Sequence, residues 1–297
     1  MSWHKYKNGN HYVYINDENG TKIRETIDKN ATRFVSDFAD SVDFKITNKC
    51  FNNCPYCHER SSSNGEEGDI KNWRFLDTLH PYTEMAIGGG DVLTFPNLYE
   101  LLELLKSKNI YANITVHQNN IFDEKIDYIV KNQLVKGIGI SLAGGITNNV
   151  LRRIKSLPNS VIHLINGLTA CKASFNHLAD KDLKILILGY KTFGRGEDFI
   201  EKNSWIHDEI DWVEQNIEEF MTRFKVVSFD NLAVEQLKLK NKLTQKQWDL
   251  FYGGDDGTHT FYIDGVVEQF AKSSTSVKRF DMLDNIDDMF HIIQQQQ

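Results

Sequence analysis

Between residues 42 and 195 the sequence repeats one pattern: a short apolar run, a polar turn, then a segment with helical periodicity. The runs are 42–47, 84–87, 111–117, 135–142, 161–165 and 183–188. They are too short for helices and are bounded by glycine, asparagine and serine, which reads as strands. Between them, 98–108 places Leu101, Leu102, Leu104 and Leu105 on one side, and 123–132, 148–157 and a segment from 169 to before 180 follow suit. A shorter helix is predicted over 72–79, with Asn72 as its cap. Consecutive strands joined by helices must run parallel, so the repeat predicts an α/β fold built on a parallel sheet. A chain of 297 residues is long enough to bury the core this needs.

The first strand runs straight into Cys50-Phe51-Asn52-Asn53-Cys54-Pro55-Tyr56-Cys57, which holds three of the four cysteines in the spacing C-x3-C-x2-C. The C-terminal end of a strand is where parallel α/β barrels keep their chemistry. Three thiolates on one loop suit an iron–sulfur cubane with one iron open to another ligand. They also suit a zinc ion that finds a fourth ligand, for which His58 is the neighbour, although adjacency to Cys57 makes joint tetrahedral ligation awkward. The second strand ends in Gly88-Gly89-Gly90-Asp91. Glycines there let the backbone approach a ligand, and the carboxylate can accept hydrogen bonds from an ammonium group. The segment 61–68 is polar and expected to be mobile. Cys171, standing alone, reads as a small buried side chain on a helix. His163 reads as packed or facing a barrel interior. Lys191 and Arg195, in a glycine-rich loop, read as solvated cations or as contacts to an acidic ligand.

The cysteine loop, with Tyr56 before the third cysteine, resembles the cluster-binding motif of the radical S-adenosylmethionine superfamily. The Gly88-Gly89-Gly90-Asp91 stretch resembles that family's Gly-Gly-Glu motif, with Asp91 where Glu is usual, one methylene shorter. The resemblance covers residues 42 to 195 and implies a partial (β/α)6 TIM-type barrel. It implies a [4Fe–4S] cluster on Cys50, Cys54 and Cys57, with S-adenosylmethionine as the second cofactor. Tyr56 would then pack near the adenine, Gly89, Gly90 and Asp91 would receive the methionyl ammonium, with Gly88 also in the cofactor site, and Ser141 would make a polar contact to ribose or carboxylate. His117 ends a strand that the family often places near the cofactor. The implied activity is reductive cleavage of S-adenosylmethionine to a 5′-deoxyadenosyl radical that abstracts hydrogen from a substrate. An electron donor such as a flavodoxin or ferredoxin is the implied partner. A peptide or protein substrate is favoured over a nucleotide or small metabolite. A non-enzymatic zinc module is the other reading of the same cysteines.

The flanks complete a three-part organisation: 1–41, 42–200 and 201–297. Residues 11–15 alternate like a strand and 21–26 can return, with Asn8-Gly9 and Asn19-Gly20 as turn signals, so a β-hairpin covering a barrel edge or end is expected. After 200 the period loosens. An acidic helix over 208–220, strands at 226–229 and 261–264, a helix over 244–252 and a last helix over 284–293 make an α+β extension that closes the barrel and shapes the substrate site; 294–297 is expected to fray. A net charge of −7 disfavours nucleic acid as the default partner. No apolar run approaches the roughly 20 residues of a membrane span, and 1–5 lack the apolar core of a signal peptide. The expected location is the cytoplasm, where clustered cysteines favour metal or cofactor over disulfide.

Overall fold

The computed structural model describes residues 3–18, 20–28, 31 and 33–296. The expected turn residue Asn19, the first two residues of the chain and Gln297 of the expected frayed end lie outside this set. The chain opens with an antiparallel sheet of β1 (Trp3–Asn8), β2 (His11–Asn16) and β3 (Lys22–Thr26). The predicted hairpin is its second half. β1 escaped notice because its residues alternate only between exposed and half-buried until Asn8.

The main sheet is parallel over β4 (Ser41–Thr47), β5 (Glu84–Gly89), β6 (Tyr111–His117), β7 (Gly137–Ser141), β8 (Ser160–Ile165) and β9 (Lys184–Leu188). The connecting helices are α1 (Leu98–Ser107), α2 (Glu124–Lys131), α3 (Asn148–Ser156) and α4 (Lys172–Leu178). The chain continues through α5 (Arg195–Lys202), α6 (Trp205–Arg223), β10 (Val226–Phe229), α7 (Asn231–Gln236), α8 (Gln245–Phe251), β11 (Thr260–Asp264), β12 (Gln269–Ala271), β13 (Phe280–Asp281) and α9 (Ile286–Gln294). The strand order is β10-β9-β8-β7-β6-β5-β4-β11-β12-β13. Pairings from β10 to β11 are parallel; β12 and β13 turn antiparallel. Among the described residues β10 and β13 do not pair, so the barrel is partial and open. The sheet is wider than six strands, because β10 extends one side and β11 returns beside β4. It therefore runs across the boundary expected at residue 200.

The helix expected over 72–79 is instead two 3-10 turns, Ile70–Asn72 and Arg74–Thr78. Asp69 caps the first through the Lys71 N–H, and the Asn72 side chain donates to Glu268. Trp73 breaks the run: its ring is buried against Phe44 and Phe95, and its Nε1 donates 3.1 Å to the Gly265 carbonyl.

Alternation along the strands divides the sheet. Val42, Phe44, Ile46, Met85, Ile87, Ile114, Val116, Ile140, Ile162 and Leu164 pack into one core with Leu98, Leu101, Leu102 and Leu105 of α1. The other, concave face carries Asp43, Lys45, Ala86, Gly88, Ser141, His163, Tyr262 and Asp264. The N-terminal sheet closes the end of the barrel opposite the cysteines. Lys22 and Arg24 reach Asp40 just before β4, Asp17 accepts from Tyr111 at the start of β6, and His11 stacks edge-on with His259 just before β11. The expected covering role is thus at an end of the barrel. His11, Asp40 and His259 bring possible ligand atoms within 4.8 Å of one another. The Asp40 carboxylate, however, is already held by two basic side chains, so this group is charge-balanced without a cation.

Candidate functional site: the cysteine loop and its dock

β4 delivers the chain at Thr47 into a loop folded back on itself. Asn48 donates to the Glu66 carbonyl (2.7 Å), Ser62 to Asn48 (3.1 Å) and Cys50 to Ser62 (2.8 Å). A Cβ on Gly65 would lie 2.1 Å from the Asn48 carbonyl oxygen. The segment 61–68 is therefore pinned along the cysteine loop rather than projecting as the mobile stretch its polarity suggested. Cys57 donates 3.2 Å to the Cys54 carbonyl, which brings the second and third cysteines around one turn. All three thiols are free and half-buried. Burial pushes the Cys54 thiol up, while a hydrogen bond with Tyr56 and the nearby Arg195 pull the other way.

The Gly-rich strand end docks directly on this loop. Gly90 donates 2.6 Å to the Thr47 carbonyl and Asp91 donates 2.8 Å to that of Lys49. Gly89 has φ +114°, and a Cβ there would sit 2.4 Å from the Thr47 oxygen. Gly90 would meet the Lys49 oxygen at 2.3 Å. Only glycine permits this approach. Gly88 differs: a Cβ there meets nothing within 4 Å, so it faces open space. Asp91 is buried and works as a cap: Oδ1 accepts from the Leu93 N–H (3.2 Å) and Oδ2 from Asn120 (2.6 Å).

Across the concave face, His117, Ser141 and His163 are aligned neighbours on β6, β7 and β8. The His163 ring lies flat where a Cβ on Gly139 would be, at 2.3 Å, and burial lowers its pKa. His163 thus faces the barrel interior. Tyr56 spends its hydroxyl on Cys54 and sets its ring edge-on to Phe199 of α5, 5.8 Å between centroids. Cys171 is half-buried at the N-cap of α4, its thiol 3.5 Å from Ser174, and not the buried helical residue expected.

Two contributors, Lys45 and Glu59, went unread in the sequence, and His58 and Arg195 have partners that it did not indicate. Lys45, buried on the concave face, donates 2.6 Å to Glu59 and lies 3.1 Å from Asp264. Burial alone would raise the Glu59 carboxyl, but the His58 hydrogen bond and the Lys45 charge hold it well below the usual range. His58 points its Nε2 at Glu59 (3.4 Å) and lies 3.5 Å from Lys191 Nζ. Arg195 is half-buried and donates three times to the cysteine loop, to the carbonyls of Cys57, Cys54 and Ser61. A lysine inside an apolar strand was a legible signal for Lys45; the roles of Glu59 and Arg195 depend on contacts distant in sequence.

The donor set on the loop is three free thiols. Tetrahedral zinc with ~2.3 Å bonds to sulfur draws its thiolates to about 3.8 Å apart. The three sulfurs here do not all lie within 4.8 Å of one another. A cubane seats each thiolate on a different iron and leaves one iron open, and three free thiols on one loop are the donor set that this needs.

No protein-family model matches this sequence. One curated relative, the uncharacterized protein MJ0907 of Methanocaldococcus jannaschii, is 29% identical over 138 residues, 43% of this chain and 47% of that protein. The chain thus spans about half the length of the curated relative it matches. Among solved structures it is similar to Streptococcus suis SuiB, with a TM-score of 0.54 and 11% identity over 98% of this chain and 87% of that one. A second SuiB crystal structure, bound to S-adenosylmethionine, gives a TM-score of 0.50 and 11% identity over 83% of this chain and 64% of that one. At such identity the likeness is one of fold: an open, largely parallel α/β barrel like that of SuiB.

Proposed function

We propose that this chain is a radical S-adenosylmethionine enzyme in which Cys50, Cys54 and Cys57 hold a [4Fe–4S] cluster. The observation that carries the reading is the union of two motifs: three free thiols on one loop, with Gly88-Gly89-Gly90-Asp91 hydrogen-bonded onto that loop's base. A SuiB structure of the same fold binds S-adenosylmethionine, which supports it further. Once bound, such a cluster supplies the electron that splits S-adenosylmethionine into methionine and a hydrogen-abstracting 5′-deoxyadenosyl radical. The protein's part is to orient and to exclude water. Gly88 leaves room for the cofactor beside the cysteines. Asp91 has two oxygens already accepting, and an ionised carboxylate has about four acceptor sites, so it can take the ammonium group while remaining a cap. Ser141 and Tyr56 complete the proposed pocket. The open concave face, with Asp43, His163 and Lys191 facing it, suits a peptide or protein segment, and a flavodoxin or ferredoxin is the proposed electron donor.

The test is anaerobic reconstitution with iron and sulfide, reduction with S-adenosylmethionine present, and an assay for 5′-deoxyadenosine. Product is expected from the intact triad and none from Cys54→Ala. Uptake of zinc without sulfide would sink the reading. Two glycines sharpen it. Gly88→Val is expected to leave iron uptake intact and weaken S-adenosylmethionine binding at least roughly tenfold, because the new side chain fills ligand space. Gly89→Val strains a positive φ against the Thr47 carbonyl, so iron uptake itself is expected to fail. Equal behaviour of the two, read by iron content and by calorimetric titration with S-adenosylmethionine, would refute the placement of the cofactor.

A further inference from the structure

The loop after β9 meets the second half of the cysteine loop at every residue of Gly194-Arg195-Gly196. Gly194 has φ +59°, and a Cβ on it would lie 2.3 Å from the His58 carbonyl oxygen. A Cβ on Gly196 would lie 2.4 Å from the Lys191 oxygen and 3.3 Å from that of Tyr56. Between them, Arg195 donates from its backbone N–H to Cys57 (3.1 Å), from Nε to Cys54 (3.0 Å) and from a terminal nitrogen to Ser61 (2.9 Å). One residue thus spans the second and third cysteines and the segment that folds back along them. Phe199, one turn later in α5, holds Tyr56.

The electrostatics point the same way. The guanidinium bonds only carbonyls here, and among the described residues no carboxylate lies within ion-pair distance of it. Its charge therefore stands uncompensated beside the thiols. Arg195 also opens α5, so the positive end of that helix faces the same loop.

We propose that Arg195 is the positioning residue of the cysteine triad and the group that sets the reduction potential of the cluster bound there. The inference rests on reading the triad as a cluster site. Each electron added makes the thiolate-bound cluster more negative, so a fixed neighbouring cation favours the reduced form. Geometry and charge are separable: Lys keeps the charge but not the fork of donors, whereas Gln keeps donors but no charge.

The experiment compares the full chain with Arg195→Lys and Arg195→Gln after anaerobic reconstitution. It reads iron and sulfide per chain, and the midpoint potential of the loaded fraction by electron paramagnetic resonance. Both variants are expected to load several-fold less iron. Arg195→Gln is expected to lower the reduced-to-oxidised ratio at fixed potential about tenfold, ~59 mV for a one-electron couple, while Arg195→Lys stays near the parent value. A role in folding alone would lower loading in both without separating their potentials, and that outcome overturns the charge assignment. Parent-like loading and potential in both variants overturn the whole proposal. If Arg195→Gln fails to fold, as read by thermal melting of the metal-free chain, an Arg195→Lys variant with parent-like iron uptake still overturns the positioning role. A parent chain that takes up no iron or sulfide overturns the cluster reading, and this inference falls with it.

Discussion

Asp40→Ala is expected to destabilise the fold by about 3–5 kcal/mol, the cost of removing one partner of a buried ion pair. Asp40 is fully buried where the N-terminal sheet meets the barrel. It accepts 3.0 and 2.7 Å hydrogen bonds from Arg24 and one of 3.2 Å from Lys22. Its backbone is equally committed, its N–H to the His259 carbonyl and its carbonyl to the Glu84 N–H, 3.0 Å each. Alanine would leave Arg24, mostly buried, without its counter-charge and Lys22 with only Glu84, 3.5 Å away. For a chain of this size the loss corresponds to a fall in melting temperature of roughly 5–8 °C. The pH dependence has a definite sign. Burial would raise the Asp40 carboxyl, but Lys22 and Arg24 outweigh it and hold it well below the usual range. A depressed carboxylate contributes fully above its unfolded value of about 3.9, and the contribution is lost as pH falls through the folded value. The gap between parent and variant is therefore expected to be widest near neutrality and to close below roughly pH 4. Melts at pH 7 and in acid check both points; a gap under about 1 kcal/mol at pH 7 would mean that water compensates the cations. Because this joint lies at the end of the barrel away from the cysteines, iron uptake by the folded variant is expected to stay at the parent level.

The parts of this molecule legible in the sequence were those set by local periodicity or local chemistry. Six strands between β4 and β9 announced themselves because each is a short apolar run, and α1 because its leucines recur on one face. The cysteine loop and the glycine-rich strand end were legible for the same reason: the constraint on each lies within eight residues. β11 was read as a strand but not as the neighbour of β4, since nothing in Thr260–Asp264 specifies a partner more than two hundred residues earlier. The dock between Gly89, Gly90 and Thr47–Lys49 is likewise a property of register. Arg195 shows the limit most clearly. A cation between glycines in a loop ordinarily signals solvent or an anion, yet here its partners are backbone carbonyls of a segment more than a hundred residues away.

Lys45→Met is expected to be as costly as the loss of Asp40, and to act at the opposite end of the barrel. The Lys45 ammonium sits between Glu59 and Asp264, with all three side chains largely buried. Methionine keeps the length and removes the charge, which leaves two largely buried carboxylates with only Arg279, 3.8 Å from Asp264, as a nearby fixed cation. The expected destabilisation is again about 3–5 kcal/mol. Much of it reports the stranded acids, so adding Glu59→Gln to Lys45→Met is expected to return part of the loss. The two single changes should then sum to more than the double, by roughly 1–3 kcal/mol of coupling. Asp264 has other partners, accepting from the Val266 and Val267 N–H groups with Arg279 3.8 Å away, whereas Glu59 keeps only His58 and a long 3.5 Å bond from the Tyr262 hydroxyl. Glu59 is two residues beyond Cys57, between the Cys57 and Ser61 carbonyls that Arg195 holds, so its release removes the side-chain anchor of that stretch and leaves Arg195 alone to hold it. Iron uptake by Lys45→Met is therefore expected to fall at temperatures where the chain remains folded, and to fall further towards acid pH. The sign follows from Glu59: the ammonium is one of the groups that hold its carboxyl down, beside His58, so without it the carboxyl gains its proton at a higher pH than in the parent. Iron content measured across pH at a fixed folded fraction tests this, and parent-like uptake throughout would show that the anchor serves the fold and not the cysteines.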